Sequence, residues 1–394
     1  MSVYLDHAAT TPITPEALAA FTAALQTVGN PSSIHSAGQR AKMLLEDGRA
    51  AVARSLDADP VEVVFTSGGT ESINLAVKGL FWARQQDRPR PRIVVPAGEH
   101  HATVDTVEWL ERHEGAVVDV VPLDAEGRVD TAVLEARLAS ADDVALVTFL
   151  WANNEVGTVQ PVRRIVETAH AAGVPVHSDA VAAYGQVPVS FHDSGLDALS
   201  VSAHKVGGPV GIGALVLGRR ATVEPLIHGG GQQRQVRSGT QDAPAAAAFG
   251  VAATAAAAVA AAGDDTVRAL RDRLVSGVRA SVPSAVLMGD PVDRLPGNAH
   301  FTFPGCEGDS LLFLLDAAGV AVSTGSACQA GVPEASHVLL AMGLSEQDAR
   351  GALRITLGHT STDADVDAFL AALPDAVARA GAAGMASREP ALGR

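Results

Sequence analysis

Seven short apolar runs, separated by longer stretches of helical pattern, constrain this chain more than any other feature. They are VEVVFTS at 61–67, RIVVPA at 92–97, AVVDVVPL at 116–123, VALVTFL at 144–150, VPVHSDA at 174–180, ALSVSAH at 198–204 and IGALVLG at 212–218. A strand that is apolar along its length has to be buried on both faces, and strands that alternate with helices pair in parallel. The pattern predicts an α/β domain whose mostly parallel, seven-stranded sheet is covered by helices on both sides. Ligands of such sheets bind beyond the carboxyl ends of the strands, so the polar residues there are the candidates for chemistry. After an alanine-rich segment at 244–263, a charged helical stretch from Asp264 to Ser281 leads to the strand-like NAHFTF at 298–303 and LRITLG at 353–358. The expected organisation is a large domain at 15–262, a smaller α+β domain made of 263–380 with the N-terminal segment 1–14, and a flexible tail at 381–394.

Composition narrows the partners. Forty-four acidic against 29 basic residues give a formal net charge of -15 over 394 residues, which disfavours direct binding to nucleic acid or to an anionic membrane. The two cysteines, Cys306 and Cys328, are too few for a disulfide framework and suit a reducing compartment. The opening MSVYLDHAATTP has neither the basic nor the apolar run of an export signal, so a cytoplasmic location is expected. The segment PAAAAFGVAATAAAAVAAAG is long enough to cross a bilayer but has almost none of the Leu, Ile or Phe that drive insertion. It reads as a packed helix.

Lys205, in VSAHKVGGPVG at 201–211, closes a buried strand, where an unpaired ammonium is costly unless it is put to use. In TSGGTESINLAV at 66–77, two glycines with Thr70 and Glu71 end a strand and open a helix. Free N–H groups and the helix dipole would cradle an anion there, although an ordinary capped glycine turn fits as well. Asp179, in VHSDAVAAYG, could hold a protonated ring nitrogen or cap a loop. His100, in GEHHAT, could stack or exchange protons, or simply start a helix; Glu99, His100 and His101 are consecutive, a poor spacing for one metal site, and no metal is expected. Cys328 lies among small residues in VAVSTGSACQAGVPEASHVL, where a thiol can be nucleophilic, whereas Cys306 reads as structural. Arg354 interrupts a strand and suits either a substrate carboxylate or a surface ion pair. An amine, a ring-nitrogen acid, a phosphate cradle and a stacking ring together are the parts that hold pyridoxal 5'-phosphate (PLP).

The stretches YLDHAATTP, GNPSSIHSAG, FTSGGTESINLAVKG, WANNEVGTVQP, VHSDA, SVSAHKVGGPVGIGAL, HGGGQQRQVRSGT, STGSACQAG and LRITLGHT, in order from Tyr4 to Asp367, resemble the group I cysteine desulfurases of the iron–sulfur assembly and nitrogen-fixation type. These are fold-type I PLP enzymes of the class V aminotransferase family. The resemblance implies that Lys205 binds the cofactor covalently, Asp179 partners the ring nitrogen and His100 stacks on the ring. It gives the phosphate to Gly69, Thr70, Ser202 and His204, with Thr240 reaching it from a second subunit, so a homodimer is implied. Asn154 would sit beside cofactor and substrate, and Arg354 would bind the carboxylate of L-cysteine.

In the implied reaction the electron-poor ring loosens the substrate, Lys205 takes the Cα proton and His100 exchanges a proton with the substrate thiol or the product. Cys328 takes the sulfur as a persulfide, leaving alanine, and passes it to an acceptor protein such as an iron–sulfur scaffold, a tRNA-thiolation protein or a biosynthetic carrier. Its only metal contact would be a transient one with a partner's iron–sulfur cluster. One position departs from the family pattern: Ala182 stands where a glutamine usually donates to the cofactor's phenolic oxygen, and Gln186 is nearby in sequence. A selenocysteine lyase or another PLP enzyme, needing no protein thiol, and a non-catalytic paralogue are the alternative readings.

Overall fold

The computed structural model describes residues 3–263, 265–325 and 335–386. In chain order the large sheet and its helices run α1 (Pro15–Leu25), α2 (Ser36–Ser55), β2 (Val63–Thr66), α3 (Gly69–Arg84), β3 (Arg92–Pro96), α4 (His101–Glu114), β4 (Val117–Val121), α5 (Thr131–Leu138), β5 (Val144–Leu150), α6 (Val162–Ala171), β6 (Val176–Asp179), α7 (Phe191–Ser194), β7 (Ala198–Ser202), β8 (Gly213–Leu217) and α8 (Ala243–Ala262), with β1 (Val3–Tyr4) ahead of them. The strand order is β2-β8-β7-β6-β5-β3-β4, and β8 alone runs antiparallel to its neighbours. All seven apolar runs are therefore strands of one mostly parallel sheet.

Alternation along β5 assigns its two faces. Val147 and Phe149 join the core with α1, α2 and α8, while Leu146 joins the core with α3 and α4. On the α3 face the register carries a polar stripe, in which His177 bridges Thr148 Oγ1 and Ser200 Oγ, each at 2.9 Å. Asp179 and Ser202 stand one step further along at the carboxyl ends of β6 and β7. The alanine-rich helix packs on α1 and α2, and glycine makes this close approach possible. A Cβ on Gly48 would lie 2.3 Å from the Ala246 carbonyl oxygen, and one on Gly250 would lie 2.9 Å from the Gly48 Cα.

The rest of the chain adds α9 (Asp265–Ser281), β9 (Val286–Met288), β10 (Asn298–Thr302), α10 (Gly308–Ala317), β11 (Val320–Ala321), α11 (His337–Ala341), α12 (Glu346–Ala349), β12 (Ala352–Thr356) and α13 (Asp363–Ala386). Strands β12, β10 and β9 form an antiparallel sheet, with His300 opposite Arg354. Leu274, Phe301, Phe303, Leu311, Ile355 and Phe369 build its core, where Cys306 is also buried. The N-terminal segment docks here: β1 pairs in parallel with β11, Asp6 bridges to Thr356, and Leu5 enters the same core. Helix α13 carries through Ala386, along alanine-rich sequence that favours helix.

Candidate active site

A cavity of about 380 Å³ opens at the carboxyl ends of β5 and β6, lined by Ala8, Ala9, Gly69, Thr70, His100, Leu150, Asn154, Asp179, Ala182, His204, Lys205 and Arg354 among others. Eight of the candidate site residues from the sequence, together with Ala182, thus meet around one space, brought there by strand ends, the start of α3 and the N-terminal segment. Ser202 lies just behind it: its Oγ is buried without a partner, and its Cβ is 3.7 Å from where a Cβ on Gly69 would stand. Thr240 is exposed and does not line this cavity. Cys328 lies outside the described residues, while Ser323 and Gly325, just before it, line the cavity.

Lys205 follows β7 in a single helical turn, Ala203–Lys205. Its ammonium donates to the Ala8 carbonyl and, at 2.9 Å, to the Ala9 carbonyl. Burial, with Arg354 nearby, pulls its pKa down to about 8, against the opposing pull of Asp6 and Asp179. Much more of this amine is neutral near physiological pH than of an exposed lysine.

Asp179 is buried at the tip of β6, and its Oδ1 accepts from the Val181 N–H at 2.9 Å. It caps its own turn and also lines the cavity. Desolvation raises its pKa to about 6, held back by the Val181 hydrogen bond and Lys205. A cationic ring nitrogen is the partner that would keep such a carboxylate ionised.

His100 likewise does two things. It N-caps α4, its Nδ1 accepting from the Ala102 N–H at 3.0 Å, and it lines the cavity. Burial first and the charge of Lys205 second lower its pKa to about 4. The ring is neutral at pH 7, and because Nδ1 accepts, Nε2 carries the proton.

At one end of the cavity, α3 starts without a side-chain cap, so its first N–H groups remain free to meet an anion. A Cβ on Gly69 would come within 2.7 Å of Val181 Cγ2, so glycine keeps this cradle open. Glu71 braces it from below, accepting from the Ser67 N–H at 2.8 Å and pairing with Arg237 at 2.9 Å. His204 Nδ1 lies 3.2 Å from Thr10 Oγ1. At the opposite end, Arg354 is buried, donating from Nη2 to Asp6 Oδ1 at 2.9 Å and from Nη1 to the Asn154 carbonyl at 3.0 Å. These bonds make Arg354 a cavity residue and rule out the surface ion pair.

The residues fit PLP: a lysine of lowered pKa, a buried acid awaiting a cation, a glycine-lined helix N-terminus beside an unpartnered hydroxyl, and a neutral imidazole. Gln186 does not fill in for the glutamine missing at Ala182. Its Nε2 donates to the Ala182 carbonyl at 3.3 Å and its side chain lines a separate, smaller cavity. Sequence reasoning missed Asp6, Ala8 and Ala9, whose roles depend on a contact between the two ends of the chain. The YLDHAATTP stretch was the only signal for them.

Residues 3–369 match the aminotransferase class-V family. The chain belongs to this PLP-dependent enzyme family, and within it to the cysteine desulfurases. It is 54% identical over 387 residues to the IscS-like cysteine desulfurase of Mycobacterium tuberculosis, covering 98% of each chain. Among solved structures, a NifS-like protein superposes with a TM-score of 0.89 at 34% identity, over 96% of this chain and 100% of that one. SspA in complex with cysteine gives a TM-score of 0.78 at 31% identity, over 91% of this chain and 99% of that one.

Proposed function

We propose that this chain converts L-cysteine to L-alanine and carries the sulfur away as a persulfide on Cys328. The observation that carries the reading is the meeting of Lys205, Asp179, His100 and Arg354 around one cavity, in a chain similar over its length to proteins named cysteine desulfurases. That SspA was solved with cysteine supports the choice of substrate.

Each residue has a task set by its surroundings. PLP, when bound, supplies an electron-poor ring that stabilises negative charge developing at the substrate Cα. Lys205 would hold the cofactor, and its amine, suited to the work by its lowered pKa, would take the substrate Cα proton and return a proton there to complete alanine. Asp179 keeps the ring nitrogen protonated. Arg354, its fork fixed by Asp6 and Asn154, receives the substrate carboxylate. Neutral His100 donates or accepts a proton at the substrate sulfur. The Cys328 thiolate forms a bond to that sulfur as the Cβ–Sγ bond breaks; the electron pair stays with Cβ, which takes a proton to become the methyl group of alanine.

The working unit is a homodimer in this reading, supported by the exposure of Thr240 beside a loop that Arg237 ties to the cradle through Glu71. The final acceptor is a sulfur-carrying or iron–sulfur scaffold protein, and the setting is the cytoplasm. The test is to incubate PLP-loaded protein with cysteine and measure alanine and persulfide. Wild type should form both and Cys328→Ser neither, while the Ser variant keeps the absorbance change caused by substrate binding. Alanine production by Cys328→Ser at the wild-type rate would instead indicate a lyase that needs no protein thiol.

A further inference from the structure

Glu99 has no part in the chemistry above, yet it is only 2% exposed and borders the cavity residue His100. Strand β3 pairs with β5 through Val94↔Val147 and ends at Pro96, so the N–H of Leu150 at the end of β5 is left without a backbone acceptor from β3. Glu99 Oε1 takes that bond at 2.9 Å. A side chain thus replaces the departing strand, which frees residues 97–100 to turn and bring His100 to the cavity. Asn153 Nδ2 holds the same turn through the Gly98 carbonyl at 3.0 Å, and His337 Nε2 of α11 donates to the Glu99 carbonyl at 2.8 Å.

The second carboxyl oxygen, Oε2, is buried and has no partner. A carboxylate with one neutral N–H donor and no solvent is poorly supported as an anion, the more so with another acid close by. That acid is Asp179, which sits opposite Leu150 in the β5–β6 register. Desolvation first, then the charge of Asp179, push the Glu99 pKa well above the usual carboxylate range.

We propose that Glu99 is a positioning residue of the reaction: it persists as a neutral acid under the cavity, pins the His100 turn to the end of β5, and leaves Asp179 as the single negative charge for the cofactor ring. This rests on the cysteine desulfurase reading. Two buried acids thereby divide one job, since a second anion at Glu99 would compete with Asp179 for the same positive charge.

The experiment compares wild type, Glu99→Gln and Glu99→Ala, all loaded with PLP, by the pH midpoint of the bound cofactor's visible absorbance and by the kcat for alanine formation. Glutamine preserves shape, acceptor and neutrality, so Glu99→Gln should keep the wild-type midpoint and stay within about threefold in kcat. Glu99→Ala frees the His100 turn and should lose ~10-fold or more in kcat, with a smaller change in KM. A Glu99→Gln midpoint lowered by about half a unit or more would mean that an anion had been removed, and the proposal fails. It also fails if Glu99→Ala turns over like wild type. Should the alanine variant not fold, the Glu99→Gln midpoint decides alone. A wild-type protein that binds no PLP or forms no alanine refutes the parent reading instead, and does so before any variant is compared.

Discussion

Replacing Arg354 by lysine isolates the substrate end of the cavity, because it keeps the positive charge and removes only the planar fork. In the structure Nη2 is committed to Asp6 Oδ1 at 2.9 Å and Nη1 to the Asn154 carbonyl at 3.0 Å, while the Arg354 side chain is only 6% exposed. A single ammonium can satisfy Asp6 but cannot also reach Asn154 and present parallel N–H groups to a carboxylate. The loss amounts to one or two hydrogen bonds to a charged group, about 1.5–3 kcal/mol, which is roughly 10- to 150-fold in kcat/KM. The contact is made in ground state and transition state alike, so most of the effect should fall on KM. Steady-state alanine formation over a range of cysteine concentrations reads this, with PLP content measured in parallel. A KM within twofold of wild type would refute the assignment. Loss of PLP binding would show that Arg354 acts only through the fold.

Two further outcomes follow from the same geometry. Burial lowers the pKa of His7, His100 and His204 from 6.5 to about 4, and of His177 and His300 to about 3. The unfolded chain therefore binds more protons below 6.5, stability rises with pH across this window, and it is lost as pH falls from 6.5 toward 4. Thermal unfolding should show a steady drop in Tm from pH 7 to pH 5, and an unchanged Tm would contradict it. Gly358→Ala would place a Cβ 2.2 Å from His7 Nδ1, forcing the N-terminal segment off β12 at a cost of about 1–3 kcal/mol. Calorimetry should find a lower Tm together with weaker PLP binding, since Ala8 and Ala9 hold Lys205. Wild-type values for both would show that the segment has room to spare.

Most of the fold was legible because its signal is local. A strand buried on both faces is largely apolar, and the runs holding β2 to β8 announced themselves in this way, although β5 to β7 also carry the buried polar stripe and the edge strand β4 is partly exposed. The two- and three-residue strands β1, β9 and β11 are too short to carry a pattern and exist only through their partners. Lys205, Asp179, His100 and Arg354 were visible as polar residues at strand ends or within apolar strands, but their surroundings were not. Asp6 meets Arg354 across 348 positions, a contact set by how β1 docks and not by any spacing. His100 presented two competing readings, cap or cavity residue, and one ring satisfies both because its nitrogens face different tasks. Glu99 looked like one of three consecutive polar residues; its importance comes from the strand end that it completes.

The most direct measurement is borohydride reduction of the PLP-loaded protein followed by peptide mass spectrometry. The account predicts a pyridoxyl group fixed to Lys205, with no label when that residue is replaced by alanine. Label on Lys42 or Lys78, or on no lysine, would contradict it.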